Sequence, residues 1–351
     1  MVTMLLPELP PAALRLAIDR DALAANWRML DAMSGQASAG AAVKANAYGL
    51  GVAAVVPVLR DAGCAQFFVA HWSEVAAVAQ HVSAGAISVL HGPLTAADAA
   101  YAKALGVKPV INSLPQAQRW REAGGGLCDL MVDTGMNRLG LPMSELGDPA
   151  IAGLEIDLLL SHLASADEDA ALNTVQLARW EEARRAVAHR RASLANSAGI
   201  ALGAAYHGDL TRPGLALYGG IPRAEFEGRI AQVARPAAAI LQVREVAAGE
   251  GLGYNTTFHA PAPMRVGTIA LGYADGYLRC WSGKGVMLSQ GRRLAVLGRV
   301  SMDMTIIDLS AAPDLREGDW VEAEYEPVAA AAQSGLSQYE LFTLLGARFG
   351  R

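Results

Sequence analysis

The sequence predicts an α/β protein, with an N-terminal (β/α)8 barrel of the TIM type followed by a smaller, mainly β domain. Three observations predict it. The chain has 351 residues, and single cores rarely grow past about 250–300 residues. Between residues 38 and 218, eight short apolar runs alternate with helical patterns. After Ile230 strand-like segments take over, separated by turns rich in Gly, Pro and Asp.

The expected barrel strands are Ala39–Val43, Gln66–Ala70, Ile87–Leu90, Lys108–Ile111, Asp129–Val132, Glu155–Leu160, Ser193–Ala195 and a weak one near Ala205–Asp209. The clearest helix runs from Asp169 to His189, where Leu172, Val175, Trp180 and Val187 recur at near-helical intervals. Arg15–Ile18 reads as a strand that could join the second domain, and a helix follows from Asp19 to Ala32. Beyond residue 230 the expected strands are Ala238–Val246, Arg265–Leu271, Gly285–Leu288 and Met304–Leu309, with a helix from Gln338 to Ala347. The domains are then an extension over 1–14, the barrel over 15–230 and a β domain over 231–351.

A net charge of -5 without basic clusters leaves no electrostatic footprint for nucleic acid. The pairs Arg184/Arg185 and Arg190/Arg191 read as the solvated face and end of a helix. The cysteines Cys64, Cys128 and Cys280 fit neither a disulfide framework nor a metal-ligand spacing, so no metal is expected and a reducing compartment is. Pro7, Pro10 and Pro11 interrupt the early apolar stretch, which does not read as a secretory signal. The most apolar region, 39–59, contains Lys44 and Asn46, and a charge within a membrane span is costly. The expectation is a cytoplasmic protein with no membrane partner.

Lys44 closes the first apolar strand, where a cation is expensive to desolvate. A Schiff base to a carbonyl cofactor would use such an amine; an ordinary lysine at a strand end is the plain alternative. Other polar residues fall just beyond later strands: Arg138, His162, the pair Asn196 and Ser197, and Arg212. In a parallel barrel all of these open onto one rim, where active sites of this fold are built. Taken singly, each has a structural explanation as a core group, a helix cap or a turn.

The motifs Ala-Val-Lys-Ala-Asn-Ala-Tyr-Gly at 42–49, Asp-Thr-Gly-Met-Asn-Arg-Leu-Gly at 133–140 and Ser-His-Leu-Ala at 161–164 follow one another in order. They continue with Ala-Asn-Ser at 195–197, Arg-Pro-Gly-Leu-Ala-Leu-Tyr-Gly at 212–219, Gly-Tyr-Ala-Asp-Gly at 272–276 and Gly-Arg-Val-Ser-Met-Asp at 298–303. Seven motifs in this order, from about Leu16 to the C-terminus, resemble the two-domain alanine racemases that depend on pyridoxal 5′-phosphate. The resemblance implies racemisation of L- and D-alanine in a homodimer with shared active sites, supplying D-alanine for peptidoglycan. It implies that Lys44 binds the cofactor and acts as acid and base on one face of the substrate. Tyr273, from the other subunit, would serve the opposite face. A free tyrosine is a poor base near neutrality, so a polar network is expected around it, with His162 hydrogen-bonded onward to Arg212. Arg212 would face the pyridine nitrogen and, being donor-only and always charged, keep it unprotonated. The phosphate would be held by Tyr48, Ser197, the amides of Gly214 and Leu215, and Tyr339, with Asn196 beside them. Arg138 would contact the substrate carboxylate or the cofactor phenolate, and the partner's Met302 amide would bind the substrate carboxylate.

Two positions depart from the family pattern. Met131 stands where many members carry a carbamylated lysine that orients the arginine matching Arg138, and Ser193 stands where a histidine is often found. Other readings of the same motifs are a racemase for serine or lysine and a non-catalytic barrel that binds the cofactor. The latter ends after the barrel and would lack Tyr273 and Met302. A related decarboxylase would place a cysteine in a catalytic motif, and Cys280 lies in none.

Overall fold

A computed structural model describes residues 10–350, and the chain divides into two units. One is Asp19–Val233; the other joins the residues up to Ile18 with those from Ala234 onward. The first strand, β1 (Leu14–Ile18), therefore belongs to the second unit. Most of the expected extension over 1–14 lies outside the described residues.

In the first unit the strands are β2 (Ser38–Ala39), β3 (Ala41–Ala42), β4 (Phe67–Val69), β5 (Ile87–Val89), β6 (Lys108–Ile111) and β7 (Leu127–Asp133). They continue with a short β8 (Leu141–Pro142), then β9 (Glu155–Leu160), β10 (Arg191–Ser193) and β11 (Leu210–Thr211). The pairings β3–β4–β5–β6–β7–β9–β10 are all parallel. β11 pairs in parallel with β2, and Gly40 N donates to Thr211 O at 2.9 Å, so the ring returns to its start. At the seam Arg212 N donates to Ala195 O at 2.8 Å and Asp209 N to Ala192 O at 2.7 Å. These bonds close the sheet into a barrel.

Two strand expectations shift. The seventh strand is Arg191–Ser193 rather than Ser193–Ala195, and the last is Leu210–Thr211 rather than Ala205–Asp209. Residues Ala204–Tyr206 form a 3-10 turn between Gly203 and Gly208, both at positive φ. A Cβ on Gly208 would lie 2.4 Å from Ala192 O, so the chain passes there only as glycine. A two-residue strand is too short to print a period. Arg191 is not the end of a helix, as expected, but opens β10 and pairs with Asp157 at 2.7 Å.

The barrel interior is layered, as alternate residues of each strand point inward. One layer is polar. Lys108 Nζ lies 2.6 Å from Asp157 and 3.8 Å from Asp129, and donates to Gln66 at 3.2 Å. The next, two residues along several strands, is apolar: Phe68, Val110, Met131, Leu158, Leu160 and Leu210. Met131 thus fills the barrel rather than facing Arg138 as a charged support.

The helix Arg20–Met33 starts on Asp19, which accepts the Ala22 amide at 2.9 Å, and buries Leu23, Trp27 and Leu30. The helix Ala171–Ala186 buries Asn173, Gln176, Trp180 and Ala183, while Val175 is exposed. Its inner face is therefore partly polar, for a reason that lies in the site. Among the described residues no helix is long and apolar enough to cross a membrane.

The second unit contains β12 (Ala234–Val246), β13 (Gly251–Leu252), β14 (Phe258–His259), β15 (Met264–Ile269), β16 (Val286–Ser289), β17 (Arg292–Leu297), β18 (Thr305–Asp308) and β19 (Trp320–Ala323). Antiparallel pairings run β12–β15–β18–β17–β16–β19 and back to β12, a closed ring with β1 added beside β12. Arg292–Leu297 and Trp320–Ala323 are further strands, not among the expected ones. The C-terminal helix is Gln338–Thr343, shorter than expected.

Burial raises the Asp157 carboxyl, but hydrogen bonds from Arg191 and Lys108 outweigh it and hold the group below its ordinary value. A depressed folded value stabilises the protein above the unfolded carboxyl pKa of about 4, and the gain disappears as pH falls through the folded value. Asp157→Asn is expected to cost about 3 kcal/mol at pH 7, the lower end for breaking a buried pair, because Arg191 is partly open to solvent. The gap to the parent should narrow below about pH 4, as read by urea denaturation at several pH values.

Candidate active site

Lys44 follows β3 at the barrel rim and is half-buried. The next four residues, Ala45, Asn46, Ala47 and Tyr48, have φ between 52 and 54°, a single left-handed turn. L-residues resist this conformation by roughly 1–2 kcal/mol each, so local bonds must hold it. Ala47 N donates to Val43 O at 2.9 Å and Gly49 N to Ala45 O at 2.8 Å. The Asn46 side chain accepts the Val52 amide at 2.9 Å. The Glu74 carboxylate accepts the amide of Ala45 together with those of Ala70 and His71.

Arg212 follows β11 and is 6% exposed. Its Nη1 donates to the carbonyl of Ser193 at 2.8 Å and to the Ser193 hydroxyl, and its Nη2 donates to the carbonyls of Ser161 and Leu194. Ser193 thus supplies the support for Arg212 that the sequence left open. No hydrogen bond joins His162 to Arg212 among the described residues, contrary to the expected relay, because the strand-end carbonyls already occupy both Nη groups. The Nε hydrogen carries no protein acceptor among those bonds.

Burial, with the cations Arg212, Lys44 and Arg138 nearby, pushes the His162 imidazole down to about 3. Burial and the charges of Arg138 and Arg212 also lower the Lys44 amine, while Glu74 raises it. The rim residues named from the sequence are therefore gathered within electrostatic range of one another. Arg138 itself is exposed and makes no ion pair or side-chain hydrogen bond among the described residues. Its loop is held from below by Asp133, whose carboxylate accepts the amides of Gly135 and Met136.

The anion pocket expected near Tyr48 is also assembled. The Ser197 hydroxyl accepts the Gly214 amide at 2.9 Å and the Ala216 amide at 3.2 Å. A Cβ on Gly214 would lie 2.3 Å from the Tyr48 hydroxyl, so glycine leaves a cradle there. Asn196 caps the next helix by accepting the Gly199 amide at 2.9 Å. Leu215 opens a 3-10 turn, where a first-turn amide has no partner within the turn. Hydroxyls and amides that converge on a space kept open by glycine fit a phosphate group.

Tyr273, Met302 and Tyr339 lie in the second unit. Tyr273 N donates to Ser301 O and Ala274 N to Met302 O, both at 3.0 Å, so the two motifs form one surface. A Cβ on Gly272 would lie 2.3 Å from Met302 O, which restricts the position to glycine. Arg348 ties the two turns through Asp275 and Asp303, each at 2.7 Å. The Arg279 guanidinium sits 5.2 Å from the centre of the Tyr273 ring. Met302 is 53% exposed and Tyr339 45%. Tyr339 lies on the helix Gln338–Thr343, whose end abuts Gly276 beside Tyr273.

Two functional positions had no sequence signal beyond their residue type. Gln176, fully buried, donates to Thr134 Oγ1 at 3.1 Å and to His162 O at 2.9 Å, and accepts the Ala164 amide at 2.8 Å. It joins the loops that carry Arg138 and His162, which explains the polar inner face of its helix. Glu74 is the other. Among the described residues no group of three or more His, Cys, Asp or Glu is placed to hold a metal ion.

With its value near 3, His162 stays neutral throughout the physiological range. In NMR spectra of histidine-labelled protein, its ring signals are expected to stay constant from about pH 5 to 9, where an ordinary histidine titrates near 6.5. A midpoint near 6.5 for His162 would contradict the burial and charge assigned to it.

Residues 18–222 match the family model described as alanine racemase, N-terminal domain, and residues 233–351 match alanine racemase, C-terminal domain. An alanine racemase of Methylobacterium nodulans is 44% identical, the match covering 96% of this chain and 95% of the relative. The crystal structure of alanine racemase from Bartonella henselae with covalently bound pyridoxal phosphate superposes with a TM-score of 0.88 at 33% identity, covering 97% and 99% of the two chains. The biosynthetic alanine racemase of Pseudomonas aeruginosa gives a TM-score of 0.84 at 35% identity, covering 96% and 98%. Matched end to end in both units by models, sequences and structures of one kind, the chain belongs to the alanine racemase family.

Proposed function

We propose that the protein interconverts L- and D-alanine with pyridoxal 5′-phosphate bound at Lys44. One observation carries the reading: a half-buried lysine, its amine lowered by burial and cationic neighbours, shares the barrel rim with a buried arginine and a phosphate-shaped cradle. When bound, the cofactor supplies a carbonyl for the substrate amine and a ring that acidifies the Cα proton. Lys44 Nζ removes or returns that proton on one face, and a lowered amine is a better base near neutral pH than an ordinary lysine. Tyr273 Oη of a second copy of the chain does the same on the other face, so a homodimer is part of the proposal.

Arg212 would face the pyridine nitrogen of the bound cofactor and, since a guanidinium is donor-only, would keep that atom unprotonated. Tyr48, Ser197, Gly214 and Leu215 would bind the phosphate, with Asn196 holding the helix start beside them. Arg138 and the partner's Met302 amide bind the substrate carboxylate. His162, held neutral, contributes a polar but uncharged wall beside Arg212 and Lys44. Arg138 has no anionic anchor, so its grip on the carboxylate depends on the loop that Asp133 and Gln176 shape.

The holoprotein is expected to exchange the Cα proton of L-alanine in deuterated water and to lose its optical activity, with L-serine and L-lysine reacting more slowly. Lys44→Ala should reduce the rate by roughly a thousandfold or more, within the range for losing an acid–base group. Absence of exchange with L-alanine, in protein that carries the cofactor, would sink the proposal.

Tyr273→Phe probes the second base. It should slow exchange from one enantiomer by roughly 10²–10⁴-fold and spare the other far more. Equal residual rates from L- and D-alanine would contradict two separate bases.

A further inference from the structure

Glu74 lies just beyond β4 and outside every family motif quoted above. Its Oε1 accepts the amide of Ala45, the residue after Lys44, and its Oε2 accepts the amides of Ala70 at 2.7 Å and His71 at 3.0 Å. The left-handed turn Ala45–Tyr48 satisfies its own amides only from Ala47 onward, where Val43 O is the first acceptor. The Ala45 amide, at the head of the turn, is therefore capped from a neighbouring strand by a carboxylate.

The same carboxylate is set against a cationic surrounding. The groups facing the Lys44 amine are Arg138 from the loop after β7, Arg212 from beyond β11, and Glu74. His162 beyond β9 and His91 beyond β5 also lie within range of it, and His71 packs edge-on against His91 with ring centres 4.2 Å apart. Among these described groups Glu74 alone favours the charged form of the amine.

We infer that Glu74 is a positioning residue for the reaction: it clamps the left-handed turn that aims Lys44 and presents a carboxylate to the cationic rim around it. The inference rests on the reading of Lys44 as the reacting lysine. Full carboxylate geometry is required, because two of the three donors share Oε2. A glutamine can still accept the Ala45 amide but turns its NH2 toward the donors of Ala70 and His71.

The test uses the chain without cofactor, pulse-labelled with acetic anhydride from pH 6 to 11, with Lys44 modification read by peptide mass spectrometry and exposed Lys103 as control. In Glu74→Gln the Lys44 midpoint should fall, giving more Lys44 labelling than in the parent at each fixed pH below it. In Glu74→Ala the turn loosens. Amide hydrogen exchange over residues 45–51 should then rise about tenfold or more. A Lys44 titration in Glu74→Gln that matches the parent would overturn the inference, and so would parent-like exchange in Glu74→Ala. Should Glu74→Ala not fold, the isosteric glutamine variant decides by itself. Pyridoxal 5′-phosphate uptake at Lys44 is measured separately on the parent protein. Its absence would refute the functional reading while leaving these shifts to decide the role of Glu74.

Discussion

A guanidinium that cannot lose its charge is buried where the first barrel closes, and it must find acceptors there. The parallel strands provide them, because each ends with carbonyls that no longer have a ladder partner. Arg212 takes those of Ser161, Ser193 and Leu194, beyond the ends of β9 and β10, while its own amide bonds to Ala195 O across the seam. One residue thus closes the ring and fixes a positive charge at its mouth. The consequences spread from that charge: His162 stays neutral, and the Lys44 amine loses part of its hold on a proton.

The layers beneath explain why the charge remains at the rim. An apolar layer containing Phe68, Met131 and Leu160 separates Arg212 from the polar floor around Lys108, and the Phe68 ring lies 6.0 Å from the guanidinium. Met131 belongs to that layer, and an ionic group in its place would have to be desolvated among the five other apolar side chains. The family's usual prop for the arginine at 138 is thereby replaced by a packing residue. Ser193 has gone the other way: its hydroxyl, which donates to Leu210 O, accepts from Arg212 and supports it directly.

Loops at a barrel mouth are held by residues far from them in sequence. Gln176 reaches from a helix to the chain beyond β7 and β9, and Glu74 reaches from beyond β4 to the turn beyond β3. Gln176 satisfies part-buried backbone groups, and Glu74 caps backbone amides at the head of the turn after Lys44. The second unit uses the same device in Arg348, which spans Asp275 and Asp303 beside Tyr273.

The sequence by itself determined the fold class and the order of the chemistry. Long apolar strands such as Glu155–Leu160 print a readable pattern, and the motifs around Lys44, Arg138, His162 and Arg212 stand next to strand ends, which a parallel barrel brings to one rim. Tertiary structure decided the rest. The two-residue strand β11 exists because its backbone completes a ring, not because its side chains alternate. The buried face of Ala171–Ala186 carries Asn173 and Gln176 where apolar spacing pointed to Val175, since the loops above it need hydrogen-bond partners more than they need hydrophobic contact. Glu74 meets Ala45 across 29 positions of sequence. Such bonds between distant residues leave no local periodicity, and only the closed barrel brings their partners within reach.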